Sequence, residues 1–446
     1  MDREAAKKAL QSAKATGFFT EMYGDGAAEN EKRYEHVLEG FEKSFGGDQV
    51  SLFTSAGRTE ISGNHTDHNN GKVLAGSINL DCVACAAANG TDEIHIISET
   101  YSQKFTINIK NLKPSDKMAG TIDLTKGMLA GFQEMGYQIG GFDAYITSNV
   151  ISAAGVSSSA SYEMLICSMI NEFFNDGKVD VVTYAHVGKY AENKYWNKGS
   201  GLLDQMACAV GGMITIDFKN PLEPVVEKLN YDFGAQDHSL IIVQTGKGHA
   251  DLSAEYSSIP EEMKKVAKYF GKDVLAQISE EKVIQHLPEI RKFAGDRAVL
   301  RALHFFEENK RVEAEVAALK EGRFNDFLEN ITASGNSSWK WLQNCYTNSN
   351  VQEQGISIAL ALTEMFIAEK KRGACRIHGG GFAGFRKDEI GGGGVELFPR
   401  RAVDQHPVFH AGLHGHGDGP GLVEPGSPQV VGVFFAFRVV DHNGPL

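Results

Sequence analysis

Ala153-Ala154-Gly155-Val156-Ser157-Ser158-Ser159-Ala160-Ser161 stands between a strand-like stretch, Ala144–Val150, and a helix-patterned one that begins near residue 160 and runs to 174. Residues this small let a backbone approach a polyphosphate, and the N-terminus of the following helix favours negative charge. Serine hydroxyls at such a turn can donate to phosphate oxygens or ligate Mg2+. The run is not a Walker loop, because the Gly-Lys-Ser/Thr ending is missing. Taken alone it is also compatible with a plain serine-rich helix cap.

Outward from this run, the upstream half mixes both periodicities. Helix patterns cover 2–15 and 29–46, the latter with Tyr34, Val37, Leu38 and Phe41 at helical spacing. Strand signals follow at Val50–Thr54, 72–86, 93–98 and 103–110, then a helix at 124–136. Downstream, a helix is predicted over 180–196, paired strands over 206–217 and an apolar strand at Ser239–Gln244. Residues 259–343 are helix-patterned, and a helix at 353–370 ends in Lys-Lys-Arg-Gly, which suits a helix C-terminus. Strands and helices share the first half and helices dominate the second, so the class is α+β rather than a regular βαβ series.

A net charge of −13 argues against nucleic acid or an anionic membrane as a partner held by bulk electrostatics. It does not forbid an anionic ligand such as ATP, which backbone amides and a metal hold locally. Of the six cysteines, Cys82 and Cys85 form a C-x-x-C inside the apolar run Leu80–Ala88, which reads as packed core rather than a metal or redox pair. The N-terminus is charged and lacks a signal peptide's apolar segment, and no apolar run is of membrane-spanning length. The expectation is a cytoplasmic protein, monomeric or weakly homo-oligomeric, with no membrane partner.

Two further segments carry chemistry. Gly57-Arg58-Thr59-Glu60-Ile61-Ser62-Gly63-Asn64-His65-Thr66-Asp67-His68-Asn69-Asn70-Gly71 is dense in donors and acceptors, as a loop reading sugar hydroxyls must be. A polar surface turn would have the same composition. In His378-Gly379-Gly380-Gly381-Phe382-Ala383-Gly384 the glycines permit positive φ and close backbone contact, and a flexible loop is the alternative.

Together and in order, the three segments resemble the motifs of the GHMP kinases. The first resembles the galactokinase signature G-R-x-N-x-I-G-E-H-T-D-Y-x-x-G, the second G-L-S-S-S-A, the third the C-terminal G-G-G-F-x-G loop. The resemblance spans residues 48 to 384 and implies an α+β, two-domain fold: a ribosomal S5 domain 2-like half over 1–225 and a ferredoxin-like half over 226–384, with ATP and galactose bound between them. It implies transfer of the ATP γ-phosphate to the anomeric hydroxyl of galactose. Asp204 in Gly201-Leu202-Leu203-Asp204-Gln205 then corresponds to the family's base, and Arg58 to its arginine. Gly155, Val156, Ser157, Ser158, Ser159, Ala160 and Ser161 would hold the ATP phosphates, with Gly379, Gly380 and Gly381 as the glycine loop. Ser159 and Glu192 would ligate Mg2+. Asn64, His65, Asp67 and Tyr256 would contact sugar.

Two departures qualify the resemblance. The signature's glutamate before histidine is Asn64, which keeps open a kinase for another sugar, such as N-acetylgalactosamine, arabinose or a uronic acid. A non-catalytic sensor of galactose and ATP is a third reading, disfavoured by the intact serines, Glu192 and Asp204. Residues 385–446 hold six of the eleven prolines and twelve glycines, with histidines at 406, 410, 414 and 416, unlike anything before Gly384. That change implies an altered reading frame near codon 385, with a lineage-specific extension or a His-rich metal site as the alternatives. Only Val430–Val440 in this tail is strand-like.

Overall fold

The computed structural model describes residues 2–118, 120–151, 155–197, 200–231, 233, 238–244, 253–347, 351–352, 354–381 and 432–438. Three helices, α1 (Arg3–Leu10), α2 (Ala13–Tyr23) and α3 (Ala27–Phe45), lead into β1 (Ser51–Ser62), β2 (Lys72–Ala88), β3 (Glu93–Ser98) and β4 (Gln103–Asn108). Next come α4 (Gly120–Glu134), β5 (Phe142–Ser148), α5 (Ser158–Phe174), α6 (Val181–Tyr195), α7 (Leu203–Val210), β6 (Met213–Asp217) and β7 (Val225–Leu229). The second half holds β8 (His238–Gln244), α8 (Ser253–Tyr269), α9 (Glu280–Gln285), α10 (Leu287–Ala294), α11 (Asp296–Lys320), α12 (Phe324–Ser337), α13 (Gly355–Lys370), β9 (Ala374–Ile377) and β10 (Gly432–Arg438).

β2 organises the first sheet. Its 17 residues pair with β1 along one edge, and along the other with β6 at Lys72–Gly76 and β5 at Cys82–Ala88. The sheet reads β4-β3-β5-β2-β6-β7 with β1 beside β2. One face packs on α4, α5 and α6 through residues such as Ile96, Met128, Phe132, Leu165 and Ile170. The other face is covered by α1–α3 through Phe19, Tyr34, Leu38 and Phe41. Cys82 and Cys85, three apart on a strand, face opposite layers, and burial pushes both thiols up to about 12. A buried Asp81 ties the helical cap to the sheet by accepting from Tyr23 Oη at 2.5 Å and from Arg33 and Thr54.

The structure differs from the sequence expectations at several elements. The helix expected at 2–15 is two helices, broken where Ser12 caps α2 by accepting from Ala15 N–H. Paired strands expected over 206–217 are instead α7 followed by β6, because Leu203, Met206 and Ala207 bury one helical face and Gly211 and Gly212, both at positive φ, turn the chain. A boundary at 225/226 would cut β7, which pairs with β6 throughout; the chain leaves the first sheet after Leu229. β10 lies within the strand-like Val430–Val440 and pairs with both β8 and β9 as the middle strand of a second sheet. Outside that strand, residues 385–446, expected to be frame-altered, and their histidines lie beyond the described residues.

Candidate active site

β1 was expected to stop at Thr54 but continues to Ser62, so the first half of the polar segment is strand. Two register shifts interrupt its pairing with β2, between Ala56 and Arg58 and between Glu60 and Ser62. Such bulges re-aim side chains. Gly57 lets β1 approach the phosphate loop, since a Cβ there would lie 2.8 Å from Val156 O; Arg58 N–H donates to that same carbonyl at 3.1 Å.

Asp204, in the first turn of α7, is gripped from both neighbouring motifs. Arg58 donates to Oδ1 from Nε at 3.0 Å and Nη2 at 2.6 Å, and Ser157 Oγ donates to Oδ2 at 2.6 Å. Arg58 Nη1 donates to Gly155 O. Burial works against the Arg58 charge, yet the adjoining Asp204 carboxylate more than offsets it and holds the guanidinium above its ordinary value.

Ser157 caps α5 in the left-handed region, at φ 58°. The N–H groups of Ser158, Ser159 and Ala160 are first-turn donors without an intrahelical acceptor, whereas Ser161 N–H already bonds Ser157 O at 2.9 Å. Ser161, expected among the phosphate contacts, turns away: it is fully buried and its hydroxyl donates to Ser55 O at 2.6 Å. Ser159 Oγ instead meets Glu192 Oε1 at 3.2 Å. Glu192 is buried, and its Oε2 accepts from Ser200 and from Gln205 Nε2 at 3.1 Å; Gln205 also donates to buried Glu163 Oε2 at 3.1 Å. A hydroxyl beside a carboxylate, both hard oxygens, fits Mg2+, an ion that keeps waters and substrate oxygens in its remaining positions. Among the described residues no cluster of three His, Cys, Asp or Glu could hold a metal without such help.

The sugar loop and the glycine loop lie against each other. His65, at φ 59°, must carry its proton on Nε2, because that atom bonds Gly380 O at 2.8 Å. Burial, with His68 next to it, lowers its pKa to about 3, so the ring is neutral. Asp67 packs against Gly201, where a Cβ would run into its carboxylate. Tyr256 stands edge-on to His65 at 5.2 Å and to His68 at 6.3 Å, and Gly380 has no room for a Cβ beside its ring. Asn64, expected to face sugar, does not: it is buried, its Nδ2 donates to Glu60 Oε1 at 3.0 Å and Gly379 O at 2.8 Å, and its Oδ1 accepts from Asn344 at 2.8 Å.

The residues that hold this loop were missed in the sequence. Arg376 on β9 is fully buried and donates to Glu60 O (3.2 Å), Ile61 O (2.8 Å) and Glu60 Oε1 (2.9 Å). His378 Nε2 accepts from Glu60 N–H at 3.3 Å and bonds Thr59 Oγ1 at 3.0 Å. From α11, Glu308 Oε1 accepts from Gly63 N–H (3.1 Å), Asn64 N–H (3.4 Å) and Ser334 Oγ (2.6 Å), and His304 Nε2 donates to Asn64 O at 2.9 Å. One signal was available. The signature's R-x-N asparagine falls at Glu60 and its isoleucine at Ser62, so the loop carries more exchanges than the one at Asn64.

The galactokinase galactose-binding signature matches residues 39–88, and the N-terminal domain of GHMP kinases matches residues 123–212. Fold and site thus define a GHMP kinase, with an α+β architecture of that class. A galactokinase of Clostridium tetani is 28% identical over 304 residues, covering 67% of this chain and 76% of the relative. One from Pyrococcus furiosus is 30% identical over 270 residues, covering 60% and 71%. The crystal structure of Lactococcus lactis galactokinase complexed with galactose superposes with a TM-score of 0.67 at 26% identity, over 78% of this chain and 88% of that one. The chain belongs to the galactokinase family and is an ATP-dependent sugar kinase.

Proposed function

We propose that this kinase transfers the γ-phosphoryl group of ATP to the C1 hydroxyl of galactose, and that Asp204 takes the proton. The observation that carries this reading is the Arg58–Asp204–Ser157 cluster, which brings the sugar segment, the phosphate loop and α7 to one carboxylate. As the C1 oxygen bonds to the γ-phosphorus, the bond from that phosphorus to the bridging oxygen breaks and ADP leaves. The hydroxyl proton passes to Asp204, which Arg58 keeps oriented. The free N–H groups of Ser158, Ser159 and Ala160 receive phosphate oxygens at the α5 N-terminus. Ser159 and Glu192 would hold Mg2+, which would neutralise charge on the phosphates. His65, Asp67 and Tyr256 line the sugar side, and the glycine loop closes over it. Among the described residues no helix is long and apolar enough to cross a membrane. We place the enzyme in the cytoplasm, where ATP is present and its cysteines stay reduced.

A coupled ADP-release assay over a sugar panel tests the reading. Galactose should support turnover, and Asp204→Ala should abolish it while ATP still binds. Turnover by Asp204→Ala at the wild-type rate would remove the base assignment.

A further inference from the structure

Glu60 is the carboxylate whose place in the pocket the mechanism above does not use. Its Oε1 is occupied by Asn64 Nδ2 at 3.0 Å and Arg376 Nη2 at 2.9 Å. Its Oε2 takes no hydrogen bond among the described residues, and the side chain keeps 8% of its surface exposed. The side chain lies beside the sugar segment: Asn64, which donates to Glu60, also donates to Gly379 O, and the next residues of the two loops, His65 and Gly380, bond each other against the Tyr256 ring. A carboxylate held rigidly by one oxygen and bare at the other is built to accept a hydroxyl proton. Asn64 cannot serve in its place, because both its donors and its carbonyl oxygen are bound within the protein.

We propose that Glu60 is a specificity-determining residue: its Oε2 accepts one hydroxyl of the sugar, and with Asp67 and Asp204 it makes a pocket for neutral sugars that repels a uronate. The carboxylate has moved four residues along the loop relative to the galactokinase signature, and Asn64 has become its brace. Arg376, which also fixes the Glu60 and Ile61 carbonyls, compensates the charge at its new position. This inference rests on the kinase reading above.

The test is a matrix of kcat/KM values for the full chain with ATP, galactose, its singly deoxygenated analogues and galacturonate. Glu60→Gln keeps the shape and removes the charge. It should lower kcat/KM on galactose by about tenfold to a hundredfold, the range of a hydrogen bond to a charged acceptor. On the one deoxy sugar that lacks the bound hydroxyl the penalty should vanish. Galacturonate should gain relative to galactose. A second variant guards against misfolding: Glu60→Asn combined with Asn64→Glu returns the carboxylate to position 64 and keeps the net charge. It should fold, and it should change which deoxy sugar is discriminated against. A Glu60→Gln penalty equal across the panel would mean that Glu60 only braces Arg376, and would overturn the inference while leaving the kinase reading intact. Absence of turnover by the wild-type chain on every sugar would refute the kinase reading and this one with it.

Discussion

Lowering the pH should dismantle this site through its buried histidines. His65, His304 and His378 are all nearly or fully buried, and all meet the sugar loop. Burial depresses each: His65 to about 3, with His68, His304 and Arg301 adding to the effect; His304 to about 4, against an upward pull from Glu308; and His378 to about 3, with Arg58 and Arg376 adding. The unfolded chain binds a proton on each near its ordinary value of about 6.5, so below that pH the unfolded state holds more protons. Stability is therefore complete above the unfolded pKa and is lost as pH falls toward the folded values. Each histidine removes about 2 kcal/mol by about pH 5, against about 0.2 near neutrality. The three together remove roughly 6 kcal/mol, comparable with the roughly 5–15 kcal/mol that holds an ordinary protein together. His186, also lowered chiefly by burial, adds in the same direction, whereas Glu315 and Glu60, raised by burial, take up protons in the folded state and subtract from it. The assay is urea unfolding at closely spaced pH values between about 7.5 and 5, where the three histidines' share of the slope should approach about 4 kcal/mol per pH unit, about three protons' worth. His304→Gln should reduce that share by about a third. An unchanged slope in His304→Gln would refute the reasoning, because that ring would then not be a group whose proton uptake sets the pH dependence.

Glu308 is held ionised in a buried place: burial raises its pKa, but the charges of His304, Arg311 and Arg376 and the Ser334 hydrogen bond bring it to about 2. Glu308→Gln should cost about 3 kcal/mol in thermal or urea unfolding by leaving Arg311 without its partner, and should raise the KM for sugar more than that for ATP. Gly201→Ala should push Asp67 aside; the sugar KM should rise while the ATP KM and the melting temperature stay close to wild type.

Much of the first sheet and the three motif segments was legible because each signal is local. β3 agrees with its expected range, and α5 begins within a residue or two of where the small-residue run hands over to helical spacing. α7 was not legible, since Leu203–Val210 is a short apolar run that reads equally as strand, and only Gly211 and Gly212 mark its end. The Arg58–Asp204 pair followed from motif order, although 146 residues separate its members. Ser161 was misassigned because the serine run has no inner or outer side until the helix phase is fixed; one step past Ala160 the chain faces β1. Arg376, His304 and Glu308 carried no local signal, and His378 stood out only as the start of the glycine cluster. Their meaning lies in whose backbone they reach, and that is set by packing between segments roughly 240 to 320 residues apart in the chain.

That packing answers a question about the loop itself. The chain stays paired with β2 along one side through Ser62, then leaves the ladder through a positive φ at Gly63 and His65, and is buried almost throughout. Among the described residues, the peptide groups that do not face β2 have neither water nor a second strand to pair with, and buried unpaired groups are costly. The partners are side chains instead: Arg376 for the carbonyls of Glu60 and Ile61, His378 for Glu60 N–H, Glu308 for the N–H groups of Gly63 and Asn64, and His304 for Asn64 O. An apolar replacement of any one would pack as well but leave the loop's own polar groups stranded, so the usual equivalence between a buried ionic group and a hydrophobic one fails here. The same arrangement explains why the network comes from β9 and α11. Within the loop Thr66 Oγ1 donates to Gly63 O at 2.9 Å, but the carbonyls and N–H groups of Glu60, Ile61, Gly63 and Asn64 are held from the second half of the chain, which thereby ties this loop to the glycine loop that follows β9.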